Sequence, residues 1–260
     1  MIQLRTLGGL DLSDPDGRGN LHTVLVQPKR LALLVYLALA DFQSFRRRDT
    51  LVTLFWPELD GSHARGSLRQ ALRFLRAELG PDVLISRGEE EIAVNHDALR
   101  CDAAEFDLAC KGGDCDRAVE LYRGDLLDGV FISDISPAFE HWLENERGHL
   151  RRRAAAAVWS LVGAAERVGD LVTAAPLARR AVELSPDDEA VVRRLMRILD
   201  RKGDRAGALS AYEVFRLRLA AEYDAVPSPE TESLLEAIRS REVQIWESPL
   251  SGWPPPGHPR

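Results

Sequence analysis

The chain has 260 residues, of which 45% are hydrophobic and 29% charged, with a net charge of −7. This composition is typical of a globular protein with enough apolar material for about two domains. The longest apolar run, residues 31–40, is about half the ~20 residues that a membrane-spanning helix needs, and the N-terminus has no secretory signal pattern. Three cysteines are too few for a disulfide framework. We therefore expect a cytoplasmic protein without a membrane partner.

The negative charge is distributed unevenly along the chain. Residues 1–100 contain 13 basic and 13 acidic side chains, so the remaining residues carry the whole net charge of −7. Average charge alone would argue against binding to nucleic acid. That argument does not apply to residues 1–100, because they carry no net charge.

The N-terminal part begins with two candidate strands. Residues 2–12 and 21–27 are short, rich in Leu, Val and Ile, and flank the turn-forming stretch SDPDGRGN. This pattern predicts two strands joined by a hairpin loop. Pro28 and the apolar segment after it then predict a first helix that ends near Asp41.

Two further helices and a hairpin follow. The pattern predicts a second helix over 48–55, a third from Ser62 to Leu79, and a hairpin in VLISRGEEEIAVN. Asp60 or Ser62 is the expected N-cap of the third helix, and Gly80 its end. This order predicts an α+β winged helix-turn-helix at residues 1–97, in which the third helix would read DNA.

The third helix has an apolar face and a basic face. At about 100° per residue, its leucines share one side, while a neighbouring exposed side holds Arg65, Arg69, Arg73 and Arg76. No acidic residue lies between Gly61 and Ala77 to pair with them. Because the guanidinium fork matches guanine edges and phosphates, these arginines are candidate DNA contacts. The alternative is a solvated helix face.

A second basic cluster precedes the second helix. Arg46, Arg47 and Arg48 are consecutive, at a place where a winged helix can meet backbone phosphates. A solvated turn is the alternative interpretation.

The N-terminal part resembles a known family. PKRLALLVYLALA, RRDTLVTLFWPELD and SHARGSLRQALRFLRAELG are together similar to the OmpR-like winged helix of bacterial transcriptional activators of the antibiotic-regulatory-protein type. The resemblance implies that the third helix enters the major groove through Arg65, Arg69, Arg73 and Arg76. The family's wing usually has a Pro-Gly-Tyr-Arg-like segment, whereas this chain has Arg-Gly-Glu-Glu-Glu at residues 87–91. Arg87 is therefore the one wing contact that we expect.

The second part has a period of 34 residues. Gly169-Asp170 recurs as Gly203-Asp204, and an offset copy occurs at Gly113-Asp114. This period is typical of tetratricopeptide-like helical repeats. We expect three helical hairpins and a final helix near 229–243, with the repeat aromatics, Trp142, Trp159, Tyr212 and Phe215, in the core.

This part resembles the bacterial transcriptional activator domain that follows the winged helix in the same family. The matching segments include EFDLACKGGDCDRAVELYRGDLLDG and FEHWLENERGHLRRRAAAAV. The resemblance implies an all-α tetratricopeptide-like domain at 101–244, support for a homodimer on DNA, and contact with RNA polymerase. The Pro-rich and Gly-rich residues 245–260 predict a disordered tail.

Catalytic and cofactor motifs are absent from the sequence. There is no P-loop, no G-x-S-x-G and no H-E-x-x-H, and the cysteine spacings are unlike those of zinc sites. We therefore expect a mainly α protein that is not an enzyme, with no cofactor or metal. The sequence predicts a transcription regulator that binds double-stranded DNA and is an activator. The alternative is a noncatalytic protein-protein scaffold in which the winged helix is a docking or dimerisation module.

Overall fold

The computed structural model describes residues 1–14, 21–40, 44–132 and 135–246. Within these ranges it is mainly helical, with two small sheets. The elements, in chain order, are β1 Ile2–Arg5, β2 Asp11–Ser13, α1 Leu21–Leu25, α2 Pro28–Ala38, β3 Arg46–Arg47, α3 Arg48–Phe55, α4 Gly61–Leu79, β4 Leu84–Arg87, β5 Glu91–Val94, β6 Leu99–Cys101, α5 Asp102–Gly112, α6 Cys115–Leu121, α7 Pro137–Arg167, α8 Leu171–Leu184, α9 Glu189–Lys202, α10 Arg205–Tyr223 and α11 Pro229–Trp246. Among the described residues, no helix is both long and apolar enough to cross a membrane.

Two compact units make up the chain, Met1–Ala157 and Val158–Arg260. The division lies inside α7, whereas the sequence placed the functional boundary between residues 97 and 101. The domain limits 1–97 and 101–244 therefore stay predictions. The tail predicted at 245–260 lies, from residue 247 onward, outside the described residues.

The first sheet corrects one sequence prediction. β1 pairs antiparallel with β2 and parallel with β6, and the turn between β1 and β2 passes through Gly8 and Gly9, with φ of +75° and +156°. The turn of the hairpin therefore lies before SDPDGRGN, and β2 ends at Ser13, the first residue of that stretch. Residues 21–27, predicted as a strand, begin with α1, because Leu21, Val24 and Leu25 have the i, i+3, i+4 spacing of one helix face.

The second sheet contains the wing, which we define as β4, β5 and the turn between them. β5 lies between β3 and β4, and both pairings are antiparallel. This confirms the predicted hairpin. α2, predicted to end near Asp41, ends at Ala38, and its residues 31–38 are all buried, so it forms the centre of the first unit's core.

An aromatic cluster joins α7 to the helices of the winged helix. Phe139 on α7 lies 5.1 Å from Phe55 and 5.0 Å from Trp142, measured between ring centroids, and Trp142 lies 4.8 Å from Tyr36 on α2. The Ser136 hydroxyl also donates to the Leu54 carbonyl. These contacts explain why the first compact unit continues into α7.

A second junction ties β1 to the start of α5. Asp102 accepts hydrogen bonds from the backbone N–H and hydroxyl of Thr6, both at 2.8 Å, and from the N–H of Leu7 at 3.1 Å. Nearby, Gly8 approaches the backbone at Gly124 so closely that a β-carbon on Gly8 would lie 2.7 Å from the Gly124 nitrogen. Burial raises the pKa of the Asp102 carboxyl, and the hydrogen bonds oppose that shift.

The 34-residue period corresponds to a repeated turn. Gly113, Gly169 and Gly203 all have φ between +75° and +86° and end a helix. The aspartate after each glycine caps the next helix by accepting from a backbone N–H three residues on. Only glycine adopts this left-handed conformation without strain, which explains the repeated Gly-Asp pair.

The second unit has a core made of the repeat helices. α9 packs against α8, α10 and α11, and Tyr212 and Phe215 are buried there as predicted. Trp142 and Trp159 are only half-buried, so the prediction that they are core residues was too strong.

Candidate nucleic-acid interface

α4 is a long helix with well-defined ends. The Asp60 carboxylate accepts from the N–H groups of Ser62 and His63, each at 3.0 Å, and contacts the His63 imidazole. These interactions, chiefly those with His63, lower the pKa of Asp60 to about 2. Gly80 ends the helix at a φ of +101°. The predicted N-cap is confirmed, and α4 spans the predicted helix with one additional residue at its start.

One face of α4 is apolar and buried. It consists of Ala64, Leu68, Ala71, Leu72, Leu75 and Leu79. The other face carries the four predicted arginines, which differ in their environments.

Arg69 and Arg73 are the most available of the four. Both are exposed, and neither forms an ion pair or a hydrogen bond with another residue in the part of the chain that the structure describes. They are four residues apart, so they lie about one helical turn from each other on the same face.

Arg65, one turn earlier, has a partner. Its guanidinium lies 3.1 Å from the carboxylate of Asp49, in the first turn of α3. Both side chains are about two-thirds exposed. An exposed pair of this kind is worth at most about 1 kcal/mol, so it can be exchanged for another anion.

Arg76 lies against the wing. It is half-buried and donates to the Leu84 carbonyl at 3.3 Å and to the Ser86 hydroxyl at 3.0 Å. Burial and the nearby charge of Arg48 lower the pKa of Arg76. Arg48 donates to the same hydroxyl at 3.4 Å. Arg76 therefore holds β4 beside α4, and Arg48 links the first residue of α3 to the same strand.

Arg46 and Arg47, the other two residues of the basic cluster before α3, have different environments. The guanidinium of Arg46 lies 5.1 Å from the ring centre of Tyr36, and its Nε is buried with no hydrogen-bond partner among the described residues. Arg47 is exposed and lies 3.9 Å from Glu90, whose carbonyl accepts from the Arg48 N–H at 2.8 Å.

Arg87, the predicted wing contact, is held by two neighbours. Its Nε donates to Glu91 at 2.6 Å, and its guanidinium lies 4.5 Å from the ring centre of Phe45. The structure thus brings all eight predicted arginines to α4, to the wing, or to the adjoining β3 and first residue of α3. Within the described ranges, only Arg69 and Arg73 lack an ion pair, a side-chain hydrogen bond or a ring contact.

Sequence reasoning missed the residues that hold these arginines. Asp49 and Ser86 are 16 and 10 residues from their partners, Arg65 and Arg76. No helical spacing indicates contacts between separate elements. The pairing of Arg87 with Glu91 was visible as two opposite charges flanking a hairpin turn.

Comparison with known proteins identifies the second part of the chain. Residues 95–239, more than half of the chain, match the model of the bacterial transcriptional activator domain. No curated protein matches the chain.

A solved structure shares the fold. Mycobacterium tuberculosis EmbR, solved in complex with a low-affinity phosphopeptide, is similar with a TM-score of 0.61 and 21% sequence identity, over 92% of this chain. This chain spans 65% of the length of that protein. The likeness agrees with a mainly α protein in which a winged helix precedes a helical-repeat domain. The protein belongs to the family defined by the bacterial transcriptional activator domain.

Proposed function

We propose that this protein is a sequence-specific regulator that binds double-stranded DNA and activates transcription. In this proposal α4 is the recognition helix and lies in the major groove. Arg69 and Arg73 contact base edges. Of the cluster at residues 46–48, Arg47 and Arg48 face the phosphate backbone, and Arg46 packs on Tyr36 behind them.

One observation carries the proposal. Arg69 and Arg73 project from the exposed face of a capped helix and have no ion pair or hydrogen bond within the described chain. Two uncompensated guanidinium groups one turn apart can each form a bidentate contact with guanine. A helix face that was only solvated would more commonly interleave acidic residues at four-residue spacing.

The other arginines have supporting roles in this proposal. Arg65 exchanges Asp49 for a phosphate or a base, because its ion pair is exposed and weak. Arg76 positions the wing through Ser86, and Arg87 supplies the contact from the wing. We further propose that two copies bind repeated promoter sites and that the domain at 101–244 contacts RNA polymerase.

The test is a fluorescence-anisotropy titration of the full chain against genomic fragments at two salt concentrations. We expect Arg69→Ala/Arg73→Ala to lose the preference for selected fragments, because each base-reading arginine contributes about 1–3 kcal/mol of discrimination. The control is Arg197→Ala/Arg201→Ala, which removes two exposed arginines at the same spacing from α9.

Two outcomes would contradict the proposal. Equal losses in the two double variants would assign binding to overall charge. Absence of binding at low salt by folded wild-type protein would instead favour the noncatalytic scaffold, with the winged helix as a docking or dimerisation module.

A further inference from the structure

Three of the eight arginines around α4 face a carboxylate of the same chain. Arg65 pairs with Asp49 and Arg47 with Glu90, and Arg87 is bound by Glu91. Two of these three carboxylates belong to the wing. Arg69 and Arg73, at the centre of the proposed recognition face, have no such partner in the described ranges.

A cleft of about 700 Å³ separates the wing turn from α3 and α4. Arg47, Arg48, Arg65 and Arg69 contribute to its lining, together with Glu89 and Glu90 at the wing turn. Positive and negative side chains therefore border the same space.

The carboxylates of the wing turn are not needed to hold the turn in place. The Arg48 N–H is bonded to the backbone carbonyl of Glu90 at 2.8 Å, and β4 pairs with β5 from Leu84 to Arg87. The side chain of Glu90 is 81% exposed, and its contact with Arg47 is long, at 3.9 Å. Glutamine at these positions would preserve the backbone bonds and the side-chain volume.

The charges of the wing turn act on any anion that approaches the cleft. A DNA phosphate at Arg47 or Arg48 would lie within the ~8–10 Å screening length of Glu89 and Glu90. Repulsion from these carboxylates offsets the attraction of the arginines. Phosphate contacts supply nearly all of non-specific affinity, whereas base contacts supply discrimination.

We propose that Glu89 and Glu90 are specificity-determining residues that weaken the attraction of Arg47 and Arg48 for DNA phosphates at this cleft and so weaken non-specific binding. The inference rests on the proposed function of α4. It assigns the acidic wing turn an electrostatic role that differs from a phosphate contact. The carboxylates lower the positive potential at the edge of the recognition helix, so binding depends more strongly on Arg69 and Arg73 at its centre.

The test compares Glu89→Gln/Glu90→Gln with wild type. Each full-length protein is titrated into a random-sequence duplex of about 30 base pairs and into a selected genomic fragment, at about 50 mM and about 200 mM salt. The control, Glu213→Gln/Glu236→Gln, makes the same change in net charge at two exposed glutamates of the second unit.

We expect the wing variant to bind the random duplex more tightly and to discriminate less between the two DNAs. Each additional phosphate contact steepens the log-log salt dependence by about 0.9. If Arg47 and Arg48 each gain one phosphate contact in the variant, the gain in affinity at the lower salt concentration exceeds that at the higher one by about tenfold.

The outcomes separate this inference from the function on which it rests. Wild-type binding with an unchanged salt slope in the wing variant, or an equal gain in the control variant, overturns only the role of Glu89 and Glu90. Absence of binding to either duplex by all three folded proteins overturns the proposed function and this inference with it.

Discussion

Asp102 is predicted to be a main stabilising contact between the winged helix and the helices that follow it. Its carboxylate receives the backbone N–H groups of Thr6 and Leu7 and the Thr6 hydroxyl, over distances of 2.8 to 3.1 Å. Thr6 is fully buried, and Leu7 is 2% exposed. Water therefore has little access to these donors if the carboxylate is removed.

The magnitude follows from the number of orphaned donors. Asp102→Ala leaves two buried backbone N–H groups without a partner, and each such group costs about 1–3 kcal/mol. We expect the free energy of unfolding to fall by about 2–6 kcal/mol in total. Thr6→Val removes only the hydrogen bond from the Thr6 hydroxyl to Asp102. It should lower the free energy of unfolding by about 1 kcal/mol.

Urea unfolding followed by tryptophan fluorescence can measure this loss. With a denaturant slope of about 1–3 kcal/mol per molar urea, a loss of 3 kcal/mol moves the midpoint by roughly 1–3 M. The matched control is Asp116→Ala, an exposed aspartate in the first turn of α6. A loss below about 1 kcal/mol for Asp102→Ala, or one equal to that of the control, would refute the reasoning.

Two further predictions concern the junction and α4. Gly124→Ala should lower the free energy of unfolding by about 1–3 kcal/mol in the same urea assay, because the new β-carbon would lie 2.7 Å from the Gly8 Cα. In the control, Gly112→Ala, the new β-carbon meets no atom within 4 Å, so no such loss is expected. Equal losses in the two variants would contradict the steric argument. Asp60→Ala should lower the thermal midpoint near neutral pH. The folded-state pKa of Asp60 is lowered to about 2, so its contribution is present above the unfolded pKa of about 3.9 and is lost as pH falls through about 2. The difference from wild type should therefore narrow in acid when thermal unfolding is followed by circular dichroism, and a constant difference would contradict this origin.

Local sequence signals were sufficient to predict α4. Its apolar positions recur at helical spacing, Asp60 is a favoured N-cap residue, and Gly80 and Pro81 stop the helix. The Gly-Asp turns of the repeats were visible for the same reason, because a left-handed C-cap strongly selects glycine. These features depend on interactions within a few residues, and such interactions leave a direct pattern in the sequence.

The strand predicted at 21–27 failed because apolar content alone does not distinguish a short strand from a short helix. Leu21, Val24 and Leu25 fit a helix face, while the turn at Gly8 and Gly9 had already closed the β1-β2 hairpin. The β-branched residues in the segment favoured the wrong interpretation.

The environment of Arg76 could not be predicted from a helical projection. A projection gives the angle of each side chain but not which element lies at that angle. The wing occupies the side of α4 on which Arg76 lies, so the guanidinium bonds to Leu84 and Ser86. The contacts of Phe139 and Asp102 likewise join residues more than 80 positions apart, and no local pattern marks them.

The distribution of charge reconciles the proposed function with the chain's net charge of −7. A strongly basic winged helix would bind any duplex, and a genome offers about 10⁶ to 10⁹ competing non-specific sites. Occupancy of a promoter depends on the ratio of specific to non-specific affinity. A lower non-specific affinity therefore raises occupancy as effectively as a higher specific affinity does. An electrically neutral first part meets that requirement when Arg69 and Arg73, at the centre of α4, have no ion pair within the described ranges. The acidic turn at Glu89 and Glu90 then follows from the same physical demand as the exposed arginines.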